Sequence, residues 1–243
     1  MKLTTPRTHV NLCTELEIIV IFDESELVPT QRLVHLGIDW NFATCQVRPP
    51  LDAVNKLQHH LKLLIKTQRA PLAHLESIRG KLCSMEKVVP FGRINFRFFQ
   101  ALVTKHLKQG RHPRWINLSH EAVTDLRWWS EPDNLLVGTP FTTPAPDVTI
   151  TSDASNEGWG ATFEGRTMAG RWRGEHEGKH INWLEMEAVR LTLHHNFKRW
   201  RGKTLRFLIK NSTTVAYINK QGGCGSLIHH RKIIVKCVKC AYA

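Results

Sequence analysis

The 243-residue sequence predicts a mixed α/β protein: a β-hairpin, then a mainly helical region, then an incomplete mixed sheet with helices. Three observations carry this. Apolar residues recur at spacings of three and four between residues 54 and 129, short strand-like runs lie between 148 and 209, and a proline-rich stretch separates the two. Hydrophobic residues make up 42% of the chain, enough for a buried core and too many for wholesale disorder. No apolar run approaches the roughly 20 residues that span a bilayer. The short apolar stretch at 18–22, preceded by Glu15 and Glu17, reads as a buried strand rather than a signal peptide. The expected setting is therefore intracellular, cytoplasmic or nuclear, with no membrane partner.

The elements follow in order. Val34, Leu36, Ile38 and Trp40 alternate at period two, residues 41–44 can turn the chain, and 45–48 can return it as a second strand. Pro49 and Pro50 then stop strand pairing. Val54, Leu57, Leu61 and Leu64 share one helical face, with Asp52 as a plausible N-cap. Ala70-Pro71 ends that helix. Leu72, Leu75, Ile78, Leu82 and Met85 mark a second helix, and Phe91, Ile94, Phe98 and Leu102 a third. Ser119 can cap a fourth, carrying Val123, Leu126 and Trp129. Residues 138–146 form a proline-rich connector. Beyond it come strands at 148–152, 158–163 and 168–172, a helix at 183–200, a strand at 205–209 and a helix from 213 to 219. The chain thus divides at 1–48, 49–137, 138–146 and 147–243.

Lysine and arginine total 34 against 21 acidic residues, a net charge of +13. Such an excess favours a polyanion, and nucleic acid is the usual one. The imbalance is one-sided: no aspartate or glutamate follows Glu187, whereas Arg190, Lys198, Arg199, Arg201, Lys203, Arg206, Lys210, Lys220, Arg231, Lys232, Lys236 and Lys239 all do. The cysteines at 13, 45, 83, 224, 237 and 240 read as free thiols, and the Cys237/Cys240 pair has no matching half for a zinc site. His59-His60, His194-His195 and His229-His230 are neighbours in sequence, which point to different sides and chelate poorly.

Four fragments of the last segment resemble the RNase H superfamily: Ser152-Asp153-Ala154-Ser155, Gly158-Trp159-Gly160-Ala161, Ile181-Asn182-Trp183-Leu184-Glu185, and the run from Asn211 through Tyr217 to Gly223. The wording is most similar to the RNase H of DIRS-like, tyrosine-recombinase retrotransposons. Upstream, Gln31-Arg32-Leu33-Val34-His35-Leu36-Gly37-Ile38 resembles the hairpin with which a reverse transcriptase grips the primer end. Residues 75–93, including Gly80-Lys81-Leu82 and Pro90-Phe91-Gly92-Arg93, resemble thumb helices, and Trp128-Trp129 a tryptophan pair before the connector. The resemblance implies the end of a reverse-transcriptase palm at 1–48, a thumb or connection region at 49–137, and a truncated RNase H-like domain at 147–243.

It also implies chemistry. RNase H cleaves RNA in an RNA–DNA hybrid with two Mg²⁺ ions, whose mutual repulsion only several converging carboxylates can offset. Asp153 matches the aspartate ending the family's first strand, and Glu185 the glutamate on its first helix. Glu187 is a rival, but two helical steps rotate it by about 200°, so it is expected to face solvent if Glu185 faces the sheet. The third position holds Lys210, followed by Asn211, where the family has aspartate; its ammonium is expected to pair with Asp153 and Glu185 and exclude Mg²⁺. The fourth carboxylate has no candidate after Glu187. No Asp-Asp pair occurs in the sequence, so these residues carry no polymerase centre. The resemblance thus implies a nucleic-acid partner, an RNA–DNA hybrid or primer–template duplex, and other regions of the same polyprotein. Contacts are expected from Leu36, Gly37, Lys198, Arg199, Arg201, Lys203 and Lys220. A weakly active hybrid ribonuclease and a remnant without function are the alternatives.

Overall fold

The computed structural model describes residues 6–110, 115–142 and 144–221. It begins with helix α1 (Pro6–Glu15), which the apolar spacing did not announce. The stretch at 18–22 is not a buried strand: Ile18, Ile19, Ile21 and Phe22 are all exposed, Ile19 at 90%. Strand propensity is satisfied only where a neighbouring strand supplies hydrogen bonds, and none pairs with this segment among the described residues.

Strands β1 (Arg32–His35), β2 (Ile38–Asn41) and β3 (Gln46–Arg48) form an antiparallel meander. The alternating run expected as one strand is thus two, folded at Leu36-Gly37, where both residues have positive φ, 51° and 73°. That pair of left-handed residues is the geometry of a tight two-residue hairpin, which glycine makes accessible. Inside the meander Asp39 is buried between two arginines. Arg32 donates Nε to Oδ1 at 3.0 Å and Nη2 to Oδ2 at 2.7 Å, while Arg48 donates Nε to Oδ2 at 3.0 Å. The Arg32 hydrogen bonds hold the Asp39 carboxyl below the usual carboxylate range; burial opposes them and Arg48 reinforces them.

A helical body follows: α2 (Leu51–Thr67), a short strand β4 (Arg69–Pro71), α3 (Leu72–Met85), α4 (Arg97–Lys108), β5 (Trp115–Asn117), α5 (His120–Ser130) and the short α6 (Pro132–Leu136). Pro50, not Asp52, is the α2 N-cap; Asp52 lies in the first turn, where the helix dipole favours a carboxylate. Ser119 caps α5 as expected, accepting from the Ala122 amide at 3.2 Å. The third helix starts six residues later than Phe91, which turns the chain at φ 62°. Gly92 lies against Trp129, and a Cβ there would come within 2.9 Å of the indole. Leu57, Leu61, Leu75, Ile78, Leu82, Phe99, Leu126 and Trp129 form the core of this body, each below 2% exposed. β4 pairs with β5. The connector is not wholly irregular: β6 (Thr139–Pro140) pairs with β3 and completes the order β1-β2-β3-β6.

The last part places the candidate site. β7 (Val148–Ala154), β8 (Gly158–Phe163) and β9 (Arg166–Arg171) run antiparallel, and β10 (Leu205–Ile209) lies parallel to β7 on its other side. The order is β10-β7-β8-β9. Between β9 and β10 the chain forms α7 (Ile181–Trp200), which packs on β7 and β8, and α8 (Ser212–Asn219) follows β10. Alternation in β7 buries Val148, Ile150 and Ser152. Val148 and Ile150 meet Met186, Val189 and Leu193 of α7, and Phe163 meets Trp200 edge-on at 4.8 Å between ring centres. In this last part the order of strands and helices expected from the sequence is the one observed, and the molecule is mixed α/β. Among the described residues no helix is long and apolar enough to cross a membrane.

Candidate functional site

Asp153 sits near the end of β7, opposite Gly160 of β8, with its side chain about half exposed. Glu185 lies in the first turns of α7 and is 4% exposed. The fold therefore brings together the two carboxylates that the sequence nominated. Burial pushes the Glu185 carboxyl above the usual range, and the negative charge of Asp153 adds to the push. The Ala154 amide and the Lys210 ammonium offset only part of this. Glu185 Oε2 is buried and has no hydrogen-bond partner among the described residues.

Lys210 follows β10 directly and reaches Asp153, with Nζ 3.6 Å from Oδ2. Its side chain is 85% exposed, so it stands at the mouth and does not lie between the two carboxylates as expected. A four-carbon stem with water all around has no reason to enter a buried site. An exposed pair at this distance contributes at most about 1 kcal/mol. Asn211 holds local structure together: Oδ1 caps α8 by accepting from the Thr214 amide at 3.0 Å, and Nδ2 donates to Asn182 Oδ1 at 2.8 Å. Asn before Ser-Thr-Thr is a cap pattern that could have announced this.

Glu187 is not solvent-facing. It is 3% exposed, accepts from Arg190 Nε at 2.7 Å, and meets His176 Nε2 at 3.3 Å. The 200° rotation does move it off the Glu185 face, but that second face is covered by the β9–α7 connection. There His176 stacks on Trp172 at 5.4 Å and lies 5.6 Å from Trp183. Trp172 Nε1 donates to the Ser155 carbonyl at 2.7 Å, tying this cluster to the β7–β8 turn. Trp172 and Trp200 are core side chains, and Trp159 and Trp183 pack partly buried against the cores.

Beside Asp153 is a groove of about 400 Å³ lined by Ser155, Trp159, Gly160, Gly170 and Arg171 among others. Two of its glycines have no room for a side chain. A Cβ on Gly158 would come within 2.5 Å of the Gly170 carbonyl, and one on Gly170 within 2.7 Å of Trp159 Nε1. As a donor set for two divalent cations the centre does not fit. It offers two carboxylates, one of them with an ammonium beside it, where two ions need several anionic oxygens. No group of three or more His, Cys, Asp or Glu side chains able to hold a metal occurs among the described residues.

The basic residues named from the sequence are not gathered at this centre. Lys198 and Arg199 end α7, some 20 Å along the helix from Glu185 at 1.5 Å per residue. Arg201 and Lys203 lie just beyond it. Arg199 pairs with Glu164. Lys220 is exposed at the end of α8, and Leu36, at the hairpin tip, is 86% exposed beside Gly37. Cys13, Cys45 and Cys83 are free thiols; Cys237, Cys240 and the His229-His230 pair lie outside the described residues.

No family model matches the chain, and no curated protein does. Among solved structures it is similar to the foamy viral protease-reverse transcriptase. The dRH form in complex with double-stranded DNA gives a TM-score of 0.43 at 11% identity, over 98% of this chain and 42% of that one. The complex with RNA/DNA hybrid gives 0.42 at 11%, over 97% and 32%. A further complex with double-stranded DNA gives 0.41 at 13%, over 86% and 44%. The chain spans less than half the length of each of these proteins.

Proposed function

We propose that this chain is a retrotransposon-derived reverse transcriptase–RNase H segment, of the DIRS-like kind, that binds nucleic acid and is inefficient in hybrid cleavage. The observation that carries the reading is the centre itself: Asp153 and Glu185 held together at the end of a β7–α7 pair, with Lys210 where a third carboxylate would stand. Two Mg²⁺ ions do not fit there, because two carboxylates with an ammonium beside them are too few anionic oxygens. What the pocket's own residues do is set a buried carboxyl, Glu185, raised above its usual range by burial and then by the charge of Asp153, beside a second carboxylate. The net charge of +13 and the acid-free stretch after Glu187 supply a positive field for a polyanion. An RNA–DNA hybrid or primer–template duplex is the partner the reading names, in a cytoplasmic or nuclear setting, with other parts of the polyprotein as further partners.

One specific observation favours residual cleavage as a second reading: the fold does assemble the first two carboxylates. The test separates the two. A labelled RNA–DNA hybrid is titrated with the wild type for binding and incubated with it and Mg²⁺ for cleavage, alongside Asp153→Asn and Lys210→Asp. The expected result is salt-dependent binding with no Asp153-dependent cleavage, and a gain of cleavage in Lys210→Asp. Cleavage by the wild type that vanishes in Asp153→Asn makes it an enzyme; absence of binding removes the nucleic-acid reading altogether.

A further inference from the structure

Two segments of the chain expose strand-forming residues, and the charges around them are opposite in sign. The first is the run 18–22, whose Ile18, Ile19, Ile21 and Phe22 are exposed and which pairs with no strand among the described residues. Ile21 is already extended, at φ −88° and ψ 97°. Acids bracket the run: Glu15 and Glu17 before it, Asp23, Glu24 and Glu26 after it. The chain has 34 lysines and arginines, yet none falls between Arg7 and Arg32. The second segment is β10, an edge of the order β10-β7-β8-β9. Leu205, Phe207 and Ile209 pack on the sheet core, while Arg206 and Leu208 are exposed, Leu208 at 50%. Exposed bases bracket this strand, Lys203 before it and Lys210 after it.

The plain account is that both segments are guarded. Acids beside an apolar run, and bases along a sheet edge, keep like segments from associating. That account holds for each segment against itself: run against run sets acid on acid, and β10 against β10 sets base on base. It does not hold between the two, because their guards attract.

We infer that residues 18–22 of one copy of this chain add to the outer edge of β10 in a second copy, and that the exchange is reciprocal. A sheet edge presents a row of backbone N–H and C=O groups, and an extended segment laid along it satisfies them. With 18–22 opposite 205–209, Glu17 and Asp23 fall at the two ends of β10, near Lys203 and Lys210, whichever way the segment runs. All five residues of the run are apolar, so it brings an apolar side chain to each face of the sheet. One face lengthens the core at Leu205, Phe207 and Ile209, and the other covers Leu208. Within the single chain this pairing is not made, which leaves a second copy as its source. One short strand is a small interface; two related by a two-fold axis double it and close the assembly. The pairing is independent of the nucleic-acid reading.

The test is sedimentation velocity of the full chain over a concentration series, for the wild type, Glu17→Lys/Asp23→Lys, Lys203→Glu/Arg206→Glu and Ile19→Asn. Lys210 is left in place because it reaches Asp153. The wild type is expected to form a dimer, and each charge variant alone to weaken it by about tenfold or more. An equimolar mixture of the two charge variants is expected to dimerise again, since the lysine-bracketed run of one meets the glutamate-bearing β10 of the other. Lys203→Glu/Arg206→Glu also lowers the net charge of the chain, so general repulsion does not account for its loss of association. Circular dichroism checks that the charge variants fold. If they do not, Ile19→Asn decides: Ile19 is exposed, so this variant is expected to lose the dimer and keep its melting temperature. A wild type that stays monomeric refutes the pairing. So does a dimer that these variants leave at full strength, or folded charge variants that fail to recover on mixing.

Discussion

Two acids in this protein are perturbed in opposite senses, and each leaves its own mark on stability. Glu185 has a folded-state pKa raised above its ordinary 4.5 by burial and by Asp153. Its contribution to stability is therefore present below that value and lost as pH rises through the raised one. Glu185→Gln is expected to flatten the fall in melting temperature above pH 4.5 and to gain on the order of 1 kcal/mol at neutral pH. A pH scan of thermal unfolding of both proteins checks this; parallel curves would show that Glu185 ionises freely. Asp39 is the reverse case, lowered from 3.8 by the Arg32 hydrogen bonds, so its contribution holds above that value and is lost as pH falls. Asp39→Asn is expected to cost about 1–2 kcal/mol at pH 7 in urea unfolding and much less in acid. Asp153 and Glu185 were legible through the resemblance, whose fragments at 152–155 and 181–185 place one acid at a strand end and the other near a helix start. The burial of Glu187 was not, since its cover comes from residues 172–176, and no local pattern says where a connecting segment will fold back.

At the scale of elements, period and punctuation decided what could be foreseen. The strands at 158–163 and 205–209 match the observed bounds because polar residues bracket each short run, Glu157 and Glu164 the first, Thr204 and Lys210 the second. The run at 33–40 misled because period two continues through a two-residue turn: Leu36 and Gly37 keep the alternation while reversing the chain. The exposed 18–22 stretch misled for the opposite reason, having strand composition without a strand neighbour. Gly92 is a further element-scale constraint. Its contact with Trp129 fixes how the turn before α4 lies on α5. Gly92→Ala is expected to cost roughly 1–3 kcal/mol by overpacking, read as a lower midpoint in denaturant with an unchanged slope. An unchanged midpoint would mean that Trp129 moves aside freely.

For the molecule as a whole, a helical core around Leu75 and Trp129 and a sheet core around Ile150 and Trp200 share one strongly basic chain. The amount of charge was plain in the sequence, but its placement was not. The block after Glu187 splits between the far end of α7, β10 and α8, because a helix of 20 residues carries its two ends apart. The parallel pairing of β10 with β7 has a kinetic consequence. The Thr204 amide bonds Asp147 across 57 residues of chain, and Lys210 is brought beside Asp153 only once that long loop has closed. Local helices form without such a search. Refolding followed by far-ultraviolet signal is therefore expected to run ahead of refolding followed by the fluorescence of Trp159 and Trp200, and the acid pocket belongs to the slow phase: it comes into being late, after its scaffold has already condensed.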